Sequence, residues 1–343
     1  MHSVIRTQFP YPVGSLKSLD WFLSRCTQVD ETPACQGVWQ APYVLPMDAA
    51  AAAGVGAGRF APSPSGDLHL GNLRTALVAW LFARSSHRRF LIRVEDLDDR
   101  AHPEVADRQL ADLAALGLDW DGVPMWQSAN RERYDTVITQ LSGLGLVYEC
   151  YCSRREILGA SRAPHTPVGA YPGTCRDLSR SERAQRRAHG RPPALRLRTD
   201  RHEHAVIDLV AGAYSGLVDD FVLRRGDGVA AYNLAVVVDD HGTGVDQVVR
   251  GDDLLSSTPR QVYLAELLGY SPPQYAHIPL ALNAKGQRLA KRDGAVTRSE
   301  LGTSRTMALI SASLNRPGAS PAELLADFDP ASLPRTAWIY PGN

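Results

Sequence analysis

The chain has 343 residues and a formal net charge of zero, with 37 basic and 37 acidic side chains. This length allows one or two domains with full hydrophobic cores. The balanced charge excludes a globally basic surface, so a nucleic-acid partner would require a local basic patch. No stretch reaches the roughly 20 apolar residues of a membrane-spanning helix, so we expect no membrane association. Five cysteines are an odd number, which disfavours a complete disulfide framework and favours a reduced, cytoplasmic setting.

Residues 1–54 differ in composition from the rest of the chain. They are rich in proline, glycine and glutamine and lack a sustained apolar period. Because few apolar side chains are present to offset chain entropy, we interpret them as a disordered extension. A misplaced start, with Met47 as the true first residue, and a folded module are the alternatives. Cys26 and Cys35 lie here and receive no predicted role, and no secretory signal is evident.

A strand, a turn and a helix are predicted from Val55 onward. Phe60 ends the strand, and prolines and a glycine keep the following turn out of regular structure. Apolar residues then recur at helical spacing, at Leu70, Leu73, Leu77, Val78, Leu81 and Phe82. A helix start presents unpaired backbone N–H groups, which suit a phosphate, and Gly71 allows a close approach. His69 can place an imidazole on the same ligand. A buried turn with an incidental histidine is the alternative.

Strands and helices alternate over the next part of the chain. Arg89–Val94 is a short apolar strand, and Pro103–Leu116 and Arg131–Leu144 are helices. This order predicts an α/β fold with a parallel sheet. The acidic cluster Glu95–Asp98 follows the first of these strands, at the end where open α/β sheets bind ligands. A solvated turn is the simpler interpretation of that cluster.

Three cysteines lie close together in the sequence at positions 150, 152 and 175. In a cytosolic chain, Cys150, Cys152 and Cys175 indicate a zinc site, with buried or free thiols as the alternative. His165 is the conventional candidate for a fourth ligand. The segment between the cysteines, residues 153–170, is basic and loop-like.

The second half of the chain contains one long apolar run and two basic runs. Residues 230–240, AAYNLAVVVDD, predict either a buried strand or a buried helix. Ser179–Arg191 is interpreted as a solvated helix face, with phosphate binding as the alternative. Residues 288–294, RLAKRDG, are by their charge an exposed loop. The other predicted elements are a strand over Ala194–Arg198, helices over Thr258–Leu268, Ser304–Leu314 and Pro321–Phe328, and a terminal coil over Ser332–Tyr340.

The turn before the first helix carries a recognisable motif. RFAPSPSGDLHLGN, residues 59–72, resembles the ATP-binding signature of class I aminoacyl-tRNA synthetases, and specifically that of their glutamyl branch. Its last four residues stand in the place of the HIGH tetrapeptide of that family. Asn72 occupies the position of the final histidine of HIGH, where an amide can still donate a hydrogen bond.

Three further motifs resemble the same branch, in the same order. They are IRVEDLD over residues 92–98, the pair YNLAVVVDDH and VVRGDDL over residues 232–254, and RLAKRDG over residues 288–294. The last resembles the KMSKS motif, with Arg288 in place of its first lysine and Ala290 in place of a serine. The resemblance therefore covers about residues 57–300.

This resemblance implies a fold and a set of site residues. The fold is a Rossmann-like catalytic domain over residues 55–149 and 205–300, an inserted acceptor-type subdomain over 150–204 and a short helical tail over 301–343, without an anticodon-binding domain. The implied activity is activation of L-glutamate with ATP and Mg²⁺. The implied glutamate-binding residues are Arg59, Ala61, Ser63, Glu95, Tyr232 and Arg250. The implied ATP-binding residues are Pro62, His69, Gly71, Asn72, Arg288 and Lys291, of which His69, Asn72 and Lys291 are catalytic.

Two arginines suit the selection of glutamate over glutamine. A guanidinium pairs a carboxylate through two parallel hydrogen bonds, whereas a neutral amide returns less. By the resemblance, Glu95 holds the substrate amino group and Arg250 lines the amino-acid pocket. We expect Arg59 to take the side-chain carboxylate.

The cysteine pattern narrows the resemblance further. C-x-C followed by Y-x-x-x-C resembles the zinc site of the glutamyl-queuosine tRNA(Asp) synthetases, in which a tyrosine completes the tetrahedron. The resemblance thus implies one structural zinc ion, bound by Cys150, Cys152, Tyr171 and Cys175. It also implies tRNA-independent activation of glutamate and its transfer to the queuosine at the wobble position of tRNA(Asp). We expect a cytoplasmic monomer.

Three other functions stay open at this point. The first is a compact glutamyl-tRNA synthetase that charges the tRNA 3′ end. The second is a related nucleotidyltransferase, which would not need Glu95, Tyr232 and Arg250 together. The third is a non-catalytic tRNA-binding paralogue, which the departures at Asn72, Arg288 and Ala290 support.

Overall fold

The computed structural model describes residues 54–160, 170–190, 192–289 and 296–342. The predicted extension over residues 1–54 lies outside these ranges except for Gly54, and His165, Ala290 and Lys291 lie outside them too. The strands are β1 (Ala57–Phe60), β2 (Arg89–Val94), β3 (Met125–Trp126), β4 (Val147–Cys150), β5 (Ala194–Leu197), β6 (Glu203–Asp208), β7 (Gly212–Leu217), β8 (Val222–Arg224), β9 (Val245–Gly251), β10 (Gln274–Ile278), β11 (Ala281–Leu282) and β12 (Trp338–Ile339). The helices are α1 (Leu70–Ser85), α2 (Pro103–Ala115), α3 (Arg131–Gly143), α4 (Arg154–Ala160), α5 (Arg180–His189), α6 (Tyr232–Thr243), α7 (Thr258–Leu267), α8 (Arg298–Leu301), α9 (Thr303–Ser313) and α10 (Pro321–Ala326).

The main sheet has seven strands in the order β3-β2-β1-β9-β10-β6-β7. Neighbours from β3 to β6 pair in parallel, and β7 pairs antiparallel with β6. The predicted α/β fold with a parallel sheet is therefore confirmed. The chain runs from β1 outward to β2 and later from β9 outward to β10. The strand order thus reverses between β1 and β9, which is where open sheets of this kind bind their ligands.

A second, antiparallel sheet joins β4, β5 and β8. It begins at Val147 and ends at Arg224, while β6 and β7, which lie between β5 and β8 in sequence, belong to the main sheet. The predicted division into a catalytic domain and an insertion over residues 150–204 stays a prediction. Among the described helices, none combines the length and the apolar character that a membrane crossing needs.

Helix α1 carries the main hydrophobic core. The predicted apolar residues, among them Leu70, Leu73 and Leu77, are buried and pack with Phe60 and Phe90 against the sheet. Burial of this helix on nearly all sides holds its first residue at the carboxyl end of β1. The strand, turn and helix predicted for this segment are therefore confirmed.

The apolar run over residues 230–240 is the helix α6, which resolves the choice between strand and helix. Gly244 ends it in the left-handed region, with φ of 72°, a conformation that glycine adopts without strain. On the helix, Asp239 and Asp240 are both buried. Asp239 faces α3 and the turn before it, and Asp240 faces the arginines of β1 and β2. In a strand, by contrast, the side chains of two neighbouring residues such as Asp239 and Asp240 would point to opposite faces of the sheet.

The predicted terminal coil is wrong at residues 338–339, which form β12. This strand pairs in parallel with β11, and the N–H groups of Trp338 and Tyr340 donate to Leu280 and Leu282 at 3.0 and 2.8 Å. The error has a physical reason, because a two-residue strand has no local period and depends on a distant partner. The pairing holds the chain segment that leads to Arg288.

A buried hydrogen-bond network at Asp239 yields a stability prediction. The side chains of Tyr134, Gln127 and Asn130 donate to its carboxylate at 2.8, 2.8 and 3.0 Å. Burial raises the pKa of Asp239, so each donor matters for the charged form. Replacing Tyr134 by phenylalanine should lower the free energy of unfolding by about 1–3 kcal/mol in urea titrations.

Tyr270→Phe is the matched control for this change. Tyr270 packs in the same hydrophobic cluster, and its hydroxyl forms no hydrogen bond within the described ranges. Its loss should therefore be much smaller. Equal losses for Tyr134→Phe and Tyr270→Phe would show that the contact with Asp239 contributes nothing.

Candidate active site and metal centre

A cavity of about 780 Å³ opens at the carboxyl ends of β1 and β9, where the strand order reverses. Its volume is in the range of small-molecule sites. Every predicted glutamate- or ATP-binding residue within the described ranges lines it, namely Arg59, Ala61, Pro62, Ser63, His69, Gly71, Asn72, Glu95, Tyr232, Arg250 and Arg288. The structure thus brings together residues that are spread over more than half of the chain.

The side chain of His69 caps the first turn of α1. Its Nδ1 accepts hydrogen bonds from the N–H groups of Gly71 and Asn72 at 3.1 and 3.3 Å. In return, Oδ1 of Asn72 accepts from the N–H of His69 at 3.3 Å, which completes a capping box. Asn72, the departure from the usual signature, therefore has a structural role. Because Nδ1 is an acceptor, a neutral His69 carries its proton on Nε2.

The expected row of unpaired N–H groups at this helix start is wrong. The N–H groups of Gly71 and Asn72 are occupied by His69, and the N–H of Leu70 donates to the carbonyl oxygen of Val296 at 2.7 Å. These partners come from a side chain that turns back and from a distant segment. The first three N–H groups of α1 therefore already have partners within the protein.

Two arginines and two carboxylates form a buried ion network beside the cavity. Arg93 donates to Asp240 and, at 3.1 Å, to Glu95, and Nε of Arg59 lies 3.5 Å from Asp240. Burial opposes the charge of Arg93, but Asp240 and Glu95 outweigh it and raise the pKa of Arg93. For Arg59 burial dominates and lowers the pKa, despite the opposing charge of Asp240. The network holds Glu95 at the cavity wall.

Arg93 was not predicted as a site residue, although a signal existed. Arg93 and Glu95 are two residues apart at the end of β2, so their side chains leave the same face of the strand. The residues that line the cavity without a prior prediction include Ser65, Asp67, Thr75, Gln109 and Asp253. Gln109 donates to the carbonyl oxygens of Ser63 and Gly66 at 3.0 and 2.7 Å, which holds the turn. No local pattern marks that contact.

Arg250 has a different environment from Arg59 and Arg93. It is 5% exposed and donates from Nε to Nε2 of His277 at 2.9 Å, from Nη2 to Oγ1 of Thr258 at 2.9 Å and from Nη1 to Oη of Tyr232 at 3.3 Å. All these acceptors are neutral. Within the described ranges, no carboxylate forms an ion pair with Arg250. A buried guanidinium without a counter-charge is costly, so a carboxylate ligand would be stabilised here.

The segment that resembles KMSKS reaches the cavity at its first residue. Arg288 lines the cavity and forms an ion pair with Asp253 at 2.6 Å. Lys291 and Ala290 lie outside the described residues. The catalytic role of Lys291 therefore stays a prediction.

The three cysteines of the predicted metal site meet in the small sheet and the loop after it. Their sulfur atoms all lie within 4.8 Å of one another, and Cys152 and Cys175 are 3.6 Å apart. Oη of Tyr171 lies 3.4 Å from Sγ of Cys150 and accepts from the N–H of Cys175 at 2.8 Å. The group could hold a metal ion. His165, the other candidate ligand, lies outside the described residues.

The electrostatic surroundings favour a thiolate at Cys150. Burial raises the pKa of this thiol, but the hydrogen bond with Tyr171 and the charge of Arg196 lower it overall. The guanidinium of Arg196 lies 3.7 Å from the ring centroid of Tyr171. Burial raises the pKa of the Tyr171 hydroxyl, which is a phenol unless a cation binds.

Comparison with known proteins assigns the chain to a family. Residues 57–325 match the family described as tRNA synthetases class I (E and Q), catalytic domain. The chain is 65% identical over 293 residues to the Glutamyl-Q tRNA(Asp) synthetase of Nocardia farcinica, covering 84% of this chain and 94% of that protein. The chain belongs to the glutamyl-Q tRNA(Asp) synthetase family. As a class I synthetase it is a ligase, and the predicted resemblance is confirmed.

Proteins that charge tRNA with glutamate are also similar to this member of the glutamyl-Q synthetase family. The Glutamate--tRNA ligase of Synechococcus sp. strain JA-2-3B'a(2-13) is 44% identical over 251 residues, which cover 71% of this chain and 52% of that protein. A glutamate tRNA ligase from Elizabethkingia meningosepticum, solved in complex with its amino acid, has a TM-score of 0.71 and 26% identity, covering 84% of this chain and 67% of that chain. These similarities support the class I fold.

The contact between Gly71 and His69 yields a prediction for this glutamyl-Q synthetase family member. A Cβ atom at Gly71 would lie 3.0 Å from Cε1 and 3.1 Å from Nδ1 of His69, and 3.4 Å from Ala281. Gly71→Ala should therefore displace the imidazole and weaken ATP binding roughly tenfold, the effect of one lost hydrogen bond. Equilibrium binding of ATP measures this change.

Gly143→Ala is the matched control, because it also adds a methyl group to a helix. A Cβ at Gly143 would meet no atom within 4 Å. ATP binding should be unchanged in this variant. Equal ATP affinity in Gly71→Ala and in the unsubstituted chain would contradict the predicted role of His69 in ATP binding.

Proposed function

We propose that this protein activates L-glutamate with ATP, without tRNA, and transfers it to the queuosine at the wobble position of tRNA(Asp). The observation that carries the proposal is the cavity, which brings together all the predicted glutamate- and ATP-binding residues that lie within the described ranges. The identity of 65% to a protein named Glutamyl-Q tRNA(Asp) synthetase supports the choice of acceptor.

The glutamate would be bound by opposite charges on the cavity wall. Arg250 and Arg59 are the cations for its carboxylates, and Tyr232 adds a hydroxyl beside Arg250. Glu95, held by Arg93, would pair with the ammonium group. Of the two arginines, Arg250 has only neutral partners within the described ranges, so its charge is the less neutralised. Glutamine would return less binding energy because its amide is neutral.

The ATP would lie along the turn and the start of α1. His69 would donate from Nε2, and Pro62, Gly71 and Asn72 would form the wall beside it. In the activation step, a carboxylate oxygen of glutamate attacks the α-phosphorus and the bond to the β-phosphate oxygen breaks, so pyrophosphate leaves. Arg288 and Lys291 would stabilise the charge that develops on this leaving group. Mg²⁺ would accompany the ATP and neutralise charge on its phosphates.

The transfer step requires a vicinal diol close to the adenylate. A hydroxyl of the queuosine cyclopentenediol attacks the activated carbonyl carbon, and AMP leaves with the electron pair of the broken bond. A site that presents one cis-diol to an adenylate can accept another if it is positioned equally. The basic helix α5 presents an exposed cationic face that could contact tRNA phosphates.

A second candidate is the charging of the tRNA 3′ end. The identity of 44% to a Glutamate--tRNA ligase favours it, but the alignment spans only 52% of that protein. The related nucleotidyltransferase and the non-catalytic paralogue are less favoured. Neither function needs Glu95, Tyr232 and Arg250 in one cavity with His69.

We also propose that the metal of the cysteine cluster is zinc. With bonds of about 2.3 Å to sulfur and 2.0 Å to oxygen, tetrahedral ligands lie about 3.5–3.8 Å apart. The distances of 3.6 Å between Cys152 and Cys175 and 3.4 Å between Cys150 and Tyr171 fit this geometry. Four protein ligands leave no open position, so the ion would be structural and would tie the loop after β4 to the small sheet.

The function is tested by incubating the full chain with ATP, Mg²⁺ and labelled glutamate. We expect label on tRNA(Asp) that carries queuosine, none on tRNA(Asp) without it, and none when the queuosine diol is oxidised by periodate beforehand. Label at the 3′ end of tRNA(Glu) would instead establish the second candidate. Absence of glutamate-dependent exchange of pyrophosphate into ATP would refute activation altogether.

The zinc proposal is tested by elemental analysis of the purified chain. We expect about one zinc ion per chain, and a near-complete loss in Cys152→Ser because three ligands bind zinc much more weakly than four. Tyr171→Phe should lose part of the zinc and release the rest faster to a chelator. Tyr151→Phe is the control, since its hydroxyl donates to Glu149 at 2.6 Å and should leave the zinc content unchanged. Full zinc content in Cys152→Ser would contradict the assignment.

A further inference from the structure

Behind Arg250, on the side away from the cavity, lies a buried pair of His277 and Asp208. Nδ1 of His277 lies 2.6 Å from Oδ2 of Asp208, and both side chains are 0% exposed. On its other side, Nε2 of His277 accepts the hydrogen bond from Nε of Arg250 at 2.9 Å. These three residues form a continuous chain of hydrogen bonds from the sheet interior to the cavity wall.

The sheet topology lines up these three side chains. β9, β10 and β6 are successive neighbours, and they carry Arg250, His277 and Asp208 respectively. Arg250 and His277 are directly paired in the register of β9 and β10. In a parallel sheet such partners project from the same face. Asp208, the last residue of β6, closes the row.

The hydrogen-bond donors around Asp208 determine which nitrogen of His277 carries the proton. The carboxylate of Asp208 accepts hydrogen bonds from the backbone N–H groups of His277, Val210 and Ala211, at 3.1, 2.9 and 2.7 Å. Burial alone would raise the pKa of Asp208, but these hydrogen bonds and the one from the His277 ring lower it, so it is a carboxylate. A carboxylate only accepts, so Nδ1 of His277 must donate.

A neutral His277 is therefore the acceptor that Arg250 needs. With its proton on Nδ1, the imidazole presents a lone pair on Nε2 to Nε–H of Arg250. A protonated imidazole would place two N–H donors against each other. Burial lowers the pKa of His277, with the charge of Arg250 acting in the same direction against the hydrogen bond to Asp208.

The contacts leave one part of the guanidinium for the cavity. Nε is held by His277, and Nη2 by Oγ1 of Thr258 and, at 3.4 Å, by the carbonyl oxygen of Leu254. Nη1 points to Tyr232, which lines the cavity. Because His277 stands between Asp208 and Arg250, the carboxylate orients the guanidinium without pairing with it. The positive charge of Arg250 thus stays available to a ligand.

We propose that His277, oriented by Asp208, is a positioning residue that aims Arg250 at the cavity. In this proposal Arg250 binds the side-chain carboxylate in place of Arg59, the residue expected from the sequence, because Arg59 already lies 3.5 Å from Asp240. The site would then select a carboxylate over an amide in the amino-acid side chain. This inference rests on the proposed activation of glutamate. It adds a specificity determinant that does not touch the substrate.

The test compares His277→Leu and His277→Gln with the full-length chain in pyrophosphate exchange. In His277→Leu, the Nε–H of Arg250 loses its hydrogen-bond acceptor. KM for glutamate should therefore rise about tenfold or more, while KM for ATP changes less than about twofold. The preference for glutamate over glutamine in kcat/KM should fall by a similar factor. His277→Gln, whose amide can accept from Arg250 and donate to Asp208, should regain most of both.

Tyr263→Phe is the control for a merely structural effect. It also removes a tyrosine hydrogen bond, from the buried Tyr263 through Oη to the exposed Asp200 at 2.8 Å, but Tyr263 forms no hydrogen bond with Arg250. Its two KM values and its glutamate preference should stay unchanged. An unchanged KM for glutamate in His277→Leu, or an equal rise of both KM values, would overturn the proposal.

A spectroscopic measurement separates this proposal from the proposed function. In ¹⁵N-arginine-labelled protein, the Nε–H signal of Arg250, assigned with Arg250→Lys, should exchange slowly with water. It should lose this protection in His277→Leu and recover it in His277→Gln, whether or not glutamate is activated. Protection that persists in His277→Leu would overturn the positioning role, whereas absent pyrophosphate exchange in the unsubstituted chain would refute only the activity.

Thr258→Val keeps the proposal falsifiable if His277→Leu does not fold. It removes the side-chain acceptor at Nη2 of Arg250 without leaving a buried carboxylate short of a donor. KM for glutamate should again rise while KM for ATP stays constant. An unchanged KM for glutamate in this variant would overturn the view that the hydrogen bonds to Nε and Nη2 determine the orientation of the guanidinium.

Discussion

The buried charge at the carboxyl edge of the main sheet is the constraint on which the site depends. Arg59, Arg93 and Arg250 are each at most 5% exposed, and buried guanidiniums are tolerated only with partners. Asp240 serves the first two, which requires α6 to be a helix that turns this carboxylate toward the sheet. Arg250 receives neutral partners instead. The uneven sharing of counter-charge leaves one cation for a ligand that brings its own carboxylate, as the proposed substrate glutamate does.

The second part of the site is the junction of β1 and α1, where the hydrogen-bond geometry of the helix start matters more than charge. The helix start is closed by a capping box between His69 and Asn72, and the backbone donors of its first turn are already satisfied. The imidazole of His69 is the group that we propose as the contact to the nucleotide. Gly71 permits this arrangement because a Cβ atom at this position would lie only 3.0 Å from Cε1 of the ring. The replacement of the usual histidine by Asn72 thus preserves the cap that orients His69.

The small sheet and the cysteine cluster form a part of the structure that is separate from the cavity. Their sulfur atoms and the phenol oxygen of Tyr171 are arranged at distances that suit one four-coordinate ion. Arg196, stacked on Tyr171, adds positive charge that favours anionic ligands. At the other end of the chain, β12 pairs with β11 and supports the segment that carries Arg288 into the cavity. The cysteine cluster and the pairing of β12 with β11 each hold an irregular segment that contributes few apolar contacts of its own.

The sequence by itself determined the family resemblance, the α/β class with its parallel sheet and eleven of the residues that line the cavity, because caps, periods and residue types are local properties. It could not choose between strand and helix for residues 230–240, since a short apolar run suits either. Only the tertiary structure revealed the double pairing of Arg93, the occupied N–H groups of α1, the strand β12 and the support of Arg250 by His277 and Asp208. Each of these depends on a partner that is distant in sequence, and such a partner is selected by sheet order and packing.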